Sequence, residues 1–128
     1  MSDQRYKADA GKPQPDLLQV GMARALRIVQ ATMEYGAIKY EAHSWRKVPN
    51  AAQRYFKAAE RHRQERLLPQ KDERPFILSN LDEESGLPHL AHEIFNLLAL
   101  LELALDAEPY TDLRRLCEFK QPPTDHKE

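Results

Sequence analysis

Three polar side chains recur at helical spacing in the stretch DEESGLPHLAHEIFN, which spans residues 82–96. His89, His92 and Asn96 fall within about 60° of one another on a helix of 3.6 residues per turn. Most of the surrounding positions are apolar, so we expect this polar stripe to face the interior or a cleft. A buried polar group without a partner costs about 1–3 kcal/mol. These side chains therefore either pair inside the fold or bind a ligand.

The residue types in and around the stripe are those of metal ligands. Histidines at positions i and i+3 can share one ion, because neutral imidazole is a common ligand. His62 and Glu65 show the same spacing in an earlier segment, and two antiparallel helices that face such pairs toward each other form a four-ligand site. Asp82 and Glu84 offer instead the hard oxygen atoms that Mg²⁺ prefers. The residue types allow either of these two ligand sets.

Charge is unevenly distributed although the net charge is only −1. Seven lysines and arginines lie between Arg46 and Arg66, whereas residues 81–108 contain seven acidic residues and no lysine or arginine. This pattern predicts either two packed helices of opposite charge or a cleft with cations for phosphates and carboxylates for a metal. The balanced total gives no indication of nucleic-acid binding.

Hydrophobic periodicity predicts an all-α fold, a compact bundle of about four helices in a single domain. We expect helices at 16–38, 50–66, 87–106 and 111–119, with Asp16, Asn50 and Thr111 as N-caps and Pro88 in a first turn. Residues 67–80 are expected to form an ordered loop in which PFIL is a short extended piece. The chain ends are expected to be a flexible arm at 1–14 and a tail at 120–128.

The composition also gives expectations about the cellular compartment and the oligomeric state. No apolar run approaches the roughly 20 residues that span a bilayer, and the N-terminal residues lack the apolar core of a signal peptide. Cys117 has no second cysteine to pair with, which favours a reducing cytoplasm. The helix at 87–106 is apolar on nearly all sides, so we expect a homo-oligomer, either a dimer or a tetramer.

Several stretches together carry a family resemblance: DAGKPQPDLL, EYGAIKYEAHSWRK, RYFKAAERH and LDEESGLPHLAHEIFNLLAL. In this order they resemble the phage-type dATP/dGTP diphosphohydrolase family, which is similar to the all-α, MazG-like nucleoside triphosphate pyrophosphohydrolases. The resemblance covers about residues 8–105. Family motif residues fall at Tyr35, Gly36, Lys39, Tyr40, Trp45, Arg61, His62, Asp82, Glu84, Ser85, Gly86, His89, His92 and Asn96.

The resemblance implies a helical core in a dimer or larger assembly. It also implies Mg²⁺-dependent cleavage of a nucleotide between its α- and β-phosphates, which yields a monophosphate and pyrophosphate. One departure concerns the metal. MazG-like enzymes carry an acidic pair on each of two helices, the second ending in Glu-x-x-Asp, whereas this chain has His89-x-x-His92. Mn²⁺ or another divalent transition metal therefore stays open beside Mg²⁺.

The roles that follow are hypotheses about individual side chains. Catalysis is assigned to Glu84, His89 and His92. Metal binding is assigned to His62, Glu65, Asp82 and Glu84. Substrate binding is assigned to Lys39, Arg54 and Arg61 for the phosphates, to Trp45 for stacking on the base, and to Asn96.

Two other functions fit the same residues. A phosphohydrolase of nucleoside monophosphates would use His62, Asp82, His89 and His92 with a transition metal. A non-catalytic nucleotide-binding module would keep the basic and aromatic groups without turnover.

Overall fold

Three long helices form the body of the protein. The computed structural model describes residues 11–68, 76–108 and 112–123. The long helices are α2 (Ala23–Lys39), α3 (Ala51–Arg66) and α5 (His89–Asp106), and one-turn helices lie at α1 (Asp16–Gln19), α4 (Phe76–Ser79) and α6 (Leu113–Leu116). A 3₁₀ turn at Ser44–Lys47 precedes α3. The described ranges contain no strand, only an isolated bridge between Leu81 and Pro88. The predicted all-α class is confirmed.

Helices α3 and α5 make the most extensive contact in the bundle, and small residues allow them to approach closely. Ala59 on α3 and Ala91 and Ala99 on α5 are all at least 96% buried. Beside its alanines the buried face of α5 carries polar side chains, namely His89, Glu93 and Asn96. The polar stripe therefore faces the inside of the bundle, as its spacing predicts.

The two helices run antiparallel, and aromatic and charged groups before α3 fix the far end of α5. Arg46 of the 3₁₀ turn forms an ion pair with Asp106 in the last turn of α5. Trp45 packs edge-on against Phe95 with ring centroids 6.5 Å apart, and its carbonyl accepts a hydrogen bond of 2.7 Å from the Tyr55 hydroxyl. These contacts hold the middle and end of α5 while its first turn meets the end of α3.

The predicted first helix at 16–38 is wrong in its continuity. The chain turns at residues 20–22, so that α1 and α2 are separate helices, and Pro15, not Asp16, occupies the N-cap position. The Gly21 amide donates to the Asp16 carbonyl, a bond that closes α1. A β-carbon at Gly21 would lie 2.4 Å from the Leu17 carbonyl oxygen, so this turn requires glycine.

Three smaller expectations also need correction. Asn50 precedes α3 but makes no side-chain capping bond; its backbone adopts the left-handed conformation that asparagine tolerates. Pro88 lies at the N-cap of α5, one residue before the helix begins. The residues 76–78 of the predicted extended piece belong to α4.

The last helix is short and begins after Asp112, whose side chain caps it at 3.1 Å. Thr111 lies outside the described residues, as do 1–10 of the predicted arm and 124–128 of the predicted tail.

Large apolar side chains on the outer face of α5 remain exposed in the single chain. Leu97, Leu98 and Leu101 are 49%, 47% and 61% exposed, and they are neighbours at spacings of three and four. On α2, Ile28 and Met33 are also exposed. Exposed apolar side chains grouped in this way mark association surfaces.

We expect the chain to self-associate through the leucines of α5. Sedimentation velocity at tens of micromolar, a rough range for weak interfaces, should show a species larger than the monomer. Leu101→Glu should shift it toward the monomer, because a charge would be buried in the contact. Leu116→Glu on α6, where the leucine is also exposed, serves as the matched control. A monomeric parent chain, or equal effects of the two substitutions, would contradict this expectation.

A shielded ion pair between α3 and α5 generates a second prediction. The Arg66 and Glu93 side chains are only 23% and 11% exposed, whereas those of the Arg27–Glu34 pair on α2 are 62% and 51% exposed. Removing one partner of a shielded pair leaves an uncompensated charge. Glu93→Gln should lower the free energy of unfolding in urea by about 1–3 kcal/mol, and Glu34→Gln should change it little. Equal losses of unfolding free energy in the two variants would show that the shielded Arg66–Glu93 pair stabilises the fold no more than the exposed pair does.

Candidate functional site

Three histidines meet where the end of α3 approaches the first turns of α5. His62 Nδ1 lies 2.8 Å from His89 Nδ1. The His62 ring also stacks on that of His92, with centroids 4.6 Å apart and planes 9° from parallel. Two ring nitrogens approach to 2.8 Å only when one of them carries a proton or both face a cation, because their lone pairs repel. The histidines therefore form one connected group across the helix interface.

The loop before α5 brings a carboxylate to this group. The Asp82 amide donates to the Leu87 carbonyl, and the Gly86 amide donates to the Asp82 carbonyl, both at 2.8 Å. This tight turn places Gly86 at φ +75°, in the left-handed region that favours glycine. The Ser85 amide donates to Asp82 Oδ2 at 2.9 Å, which orients the carboxylate. The motif Asp-x-x-Ser-Gly therefore holds the Asp82 carboxylate in one position.

His62, Asp82 and His89 together offer three metal-ligating atoms. One such atom from each side chain lies within 4.8 Å of the others. His89 is buried, and the other two are half-buried. The donors come from α3, from the loop and from α5, so the packing of all three segments determines their geometry. An arrangement of two imidazoles and one carboxylate is suited to a divalent metal ion.

The three donors border a cleft of about 640 Å³, a volume within the range of small-molecule sites. The basic group on its wall is Arg61, and the acidic groups besides Asp82 are Glu65 and Glu83. The complete lining consists of Arg61, His62, Gln64, Glu65, Ser79, Asn80, Leu81, Asp82, Glu83 and His89.

His92 lies beside the three donors and is held from two sides. Its ring stacks on His62, and its Nε2 atom lies 2.7 Å from Ser85 Oγ. The Leu87 amide donates to the same Ser85 oxygen at 3.1 Å. Ser85 therefore ties the loop to α5 through its hydroxyl and to Asp82 through its amide. His92 is positioned to support the orientation of His62.

Glu84 points to a different set of partners. Its Oε1 atom accepts a hydrogen bond of 2.7 Å from the Tyr35 hydroxyl and forms an ion pair with Lys39. The hydrogen bonds from Lys39 and Tyr35 lower the pKa of Glu84, and the bond to Glu84 raises the pKa of Tyr35. These contacts connect α2 to the loop. Glu84 is not one of the three clustered donors.

The other predicted site residues divide into two sets. Arg61 and Glu65 line the cleft, whereas Lys39, Trp45, Arg54 and Asn96 do not. Trp45 packs on Phe95, and Arg54 is exposed on α3. Asn96 is buried, and its amide donates to the His92 carbonyl at 2.7 Å within α5.

Asn80 lines the cleft but was not predicted from the sequence. Its side-chain amide donates to the Glu65 carbonyl near the end of α3, and its carbonyl accepts from the His89 amide at 3.1 Å. It therefore connects α3, the loop and α5 at one point. Asn80 lies in a stretch without hydrophobic periodicity, so only its position before Leu-Asp in the motif could have drawn attention to it.

Burial favours the neutral forms of His62 and His92. Burial, together with the nearby His92 and His89, lowers the pKa of His62 from 6.5 to about 4. Burial also lowers the pKa of His92. Burial alone would raise the pKa of Asp82, but hydrogen bonds from Ser85 and the nearby histidines outweigh it and lower this pKa. At neutral pH the imidazoles of His62 and His92 are neutral and the Asp82 carboxylate is ionised, the forms that bind metals.

The lowered pKa of His62 predicts an acid-sensitive fold in the metal-free protein. Between pH 6.5 and about 4 the unfolded chain binds a proton at His62 that the folded chain does not. The free energy of unfolding should therefore fall as the pH drops through this window, by on the order of 2 kcal/mol. In urea titrations His62→Gln should flatten the decline. An equally steep decline in the variant would mean that other groups cause it.

Comparison with known proteins places the chain in a family. No curated protein and no solved structure matches it. The described part of the chain contains no helix that is both long enough and apolar enough to cross a membrane. One family model does match, over residues 2–113, and its description is "dATP/dGTP diphosphohydrolase, N-terminal". Because this match covers most of the 128 residues, the chain belongs to the dATP/dGTP diphosphohydrolase family.

Proposed function

We propose that the protein is a metal-dependent pyrophosphohydrolase of purine deoxynucleoside triphosphates, dATP or dGTP. Water would attack the α-phosphorus, the bond to the bridging α,β-oxygen would break, and the products would be the monophosphate and pyrophosphate. The observation that carries the proposal is the cluster of His62, Asp82 and His89 at the edge of a cleft that also presents Arg61. Family membership supports the class of reaction.

The donor set fits a divalent metal ion. Imidazole nitrogens and a carboxylate are metal ligands, and those of His62, His89 and Asp82 converge from three segments of the chain. A metal bound there supplies Lewis-acid activation of a phosphoryl oxygen and lowers the pKa of a bound water. His62, Asp82 and His89 would hold the ion.

The remaining polar groups of the site would position these ligands and the substrate. Ser85 orients Asp82 through its amide and contacts His92 through its hydroxyl, so that the loop and the His62 ring keep one arrangement. Arg61, exposed at the wall of the cleft, offers a guanidinium for the triphosphate. We assign Glu84 to hold Lys39 and Tyr35.

A second function is favoured by the same mixed donor set. Histidine and aspartate ligands are also suited to a phosphohydrolase that acts on nucleoside monophosphates with a transition metal. The products separate the two functions, because only the first releases pyrophosphate. A non-catalytic nucleotide-binding protein would release neither phosphate nor pyrophosphate.

The assembly and the compartment belong to the same proposal. The exposed leucines of α5 support a homo-oligomer, and the exposed free thiol of Cys117 fits a reducing cytoplasm.

A product assay tests the proposed reaction. The full chain should be incubated with each deoxynucleoside triphosphate and each monophosphate, with Mg²⁺ or Mn²⁺, and all products identified by chromatography. We expect dATP or dGTP to give the monophosphate and pyrophosphate in equal amounts, and chelation to stop the reaction. Release of inorganic phosphate from monophosphates would favour the second function. Nucleotide binding without any product would contradict the proposal that the protein is an enzyme.

Substitutions test the site independently of overall folding. Asp82→Asn and His89→Ala should each lower kcat/KM by at least about 100-fold, because metal activation accounts for several kcal/mol of the barrier. The matched controls are Glu108→Gln and His43→Asn, which change exposed residues outside the cleft. Asparagine suits the left-handed backbone of His43. If both site variants keep full activity and helical circular dichroism, the cluster of His62, Asp82 and His89 takes no part in catalysis.

A further inference from the structure

The contact between His62 and His89 indicates how an ion would be bound. Their Nδ1 atoms face each other at 2.8 Å. In the metal-free protein one ring must carry its proton on Nδ1 and donate it to the other. This proton occupies the place where two lone pairs converge next to the Asp82 carboxylate.

We propose that this site selects a divalent first-row transition-metal ion over Mg²⁺ and binds it through Nδ1 of His62, Nδ1 of His89 and the carboxylate of Asp82. The inference deepens the proposed function, because it names the class of metal that would serve the reaction. Binding of the metal alone can be measured without turnover, so the two proposals can fail separately.

The donor atoms determine the metal class. Mg²⁺ binds oxygen ligands and gives up its water reluctantly, whereas imidazole suits ions such as Zn²⁺, Co²⁺ and Ni²⁺. Two of the three clustered donors are imidazole nitrogens. Glu84, a carboxylate that could have formed an oxygen site with Asp82, is engaged by Lys39 and Tyr35. Glu65 and Glu83 line the cleft outside the cluster, so an ion held by these carboxylates alone would still bind after His62→Ala.

Metal binding should change the tautomer of one histidine. The number of protons bound by the protein should stay the same. When both Nδ1 lone pairs coordinate the ion, the proton that lay between the two nitrogens must leave, and that ring keeps its neutral form by carrying a proton on Nε2. Both rings are then Nε2–H tautomers.

Cobalt binding tests the metal class. The full chain, stripped with a chelator, should be titrated with Co²⁺ and followed by visible absorption. We expect one ion per chain, with bands that differ from those of aqueous Co²⁺ and that survive a 1000-fold excess of Mg²⁺. His62→Ala and Asp82→Asn should weaken binding by at least about 100-fold, more than typical losses from outer-shell substitutions. His43→Asn should bind as the parent does. Displacement by Mg²⁺ at concentrations similar to that of Co²⁺ would overturn the proposal.

Nitrogen NMR of the unmodified sequence keeps the proposal testable even if a variant fails to fold. In the Zn²⁺-loaded protein, labelled with ¹⁵N at histidine, His62 and His89 should both show the shift pattern of Nδ1 ligation and protonated Nε2. In the metal-free protein one of them should show a protonated Nδ1. Ligation through Nε2, or zinc that leaves both rings unchanged, would contradict it. A protein that binds Co²⁺ as described but hydrolyses no nucleotide would refute only the proposed function.

Discussion

The close antiparallel contact of α3 and α5 is the constraint on which the rest of the structure depends. Alanines at the centre of this contact bring the backbones together, and no large apolar side chain is fully buried among the described residues. The polar groups on the inner face of α5 must therefore find partners across the interface. His89 meets His62, and Glu93 meets Arg66. A buried polar group left unpaired is costly, so these pairs make the alignment of the two helices specific.

The loop between α4 and α5 converts this helix pair into a site. Asn80 links the loop to both helices, and the turn at Gly86 returns the chain so that Asp82 faces the histidines. Ser85 uses its amide and its hydroxyl to keep that arrangement. All but one of these contacts join residues between Asn80 and His92, and the exception is the Asn80 bond to the Glu65 carbonyl in α3. A short motif can therefore carry most of the geometry, and the histidine from α3 completes it.

Local patterns in the sequence predicted the long helices and the inward-facing stripe, because spacing along a helix determines which side chains share a face. They did not predict the break at Gly21, which depends on a close approach to the Leu17 carbonyl. The roles expected for Lys39 and Glu84 do not include their mutual ion pair, which joins residues 45 positions apart. Long-range pairings of this kind leave no periodic signal, so ligand assignments made from residue type alone stay hypotheses.

We expect the metal ion to lie between His62, Asp82 and His89 and to face the triphosphate. This position can be measured in crystals of the full chain with Mn²⁺ and a dGTP analogue whose α,β-bridge is an imido group, with data collected near the manganese absorption edge. An anomalous peak should lie within coordination distance of both Nδ1 atoms and the Asp82 carboxylate, with the analogue's α-phosphate next to it. A peak bound only by the carboxylates of Glu65 or Glu84, with the histidine Nδ1 atoms still bonded to each other, would show that the metal ion binds elsewhere.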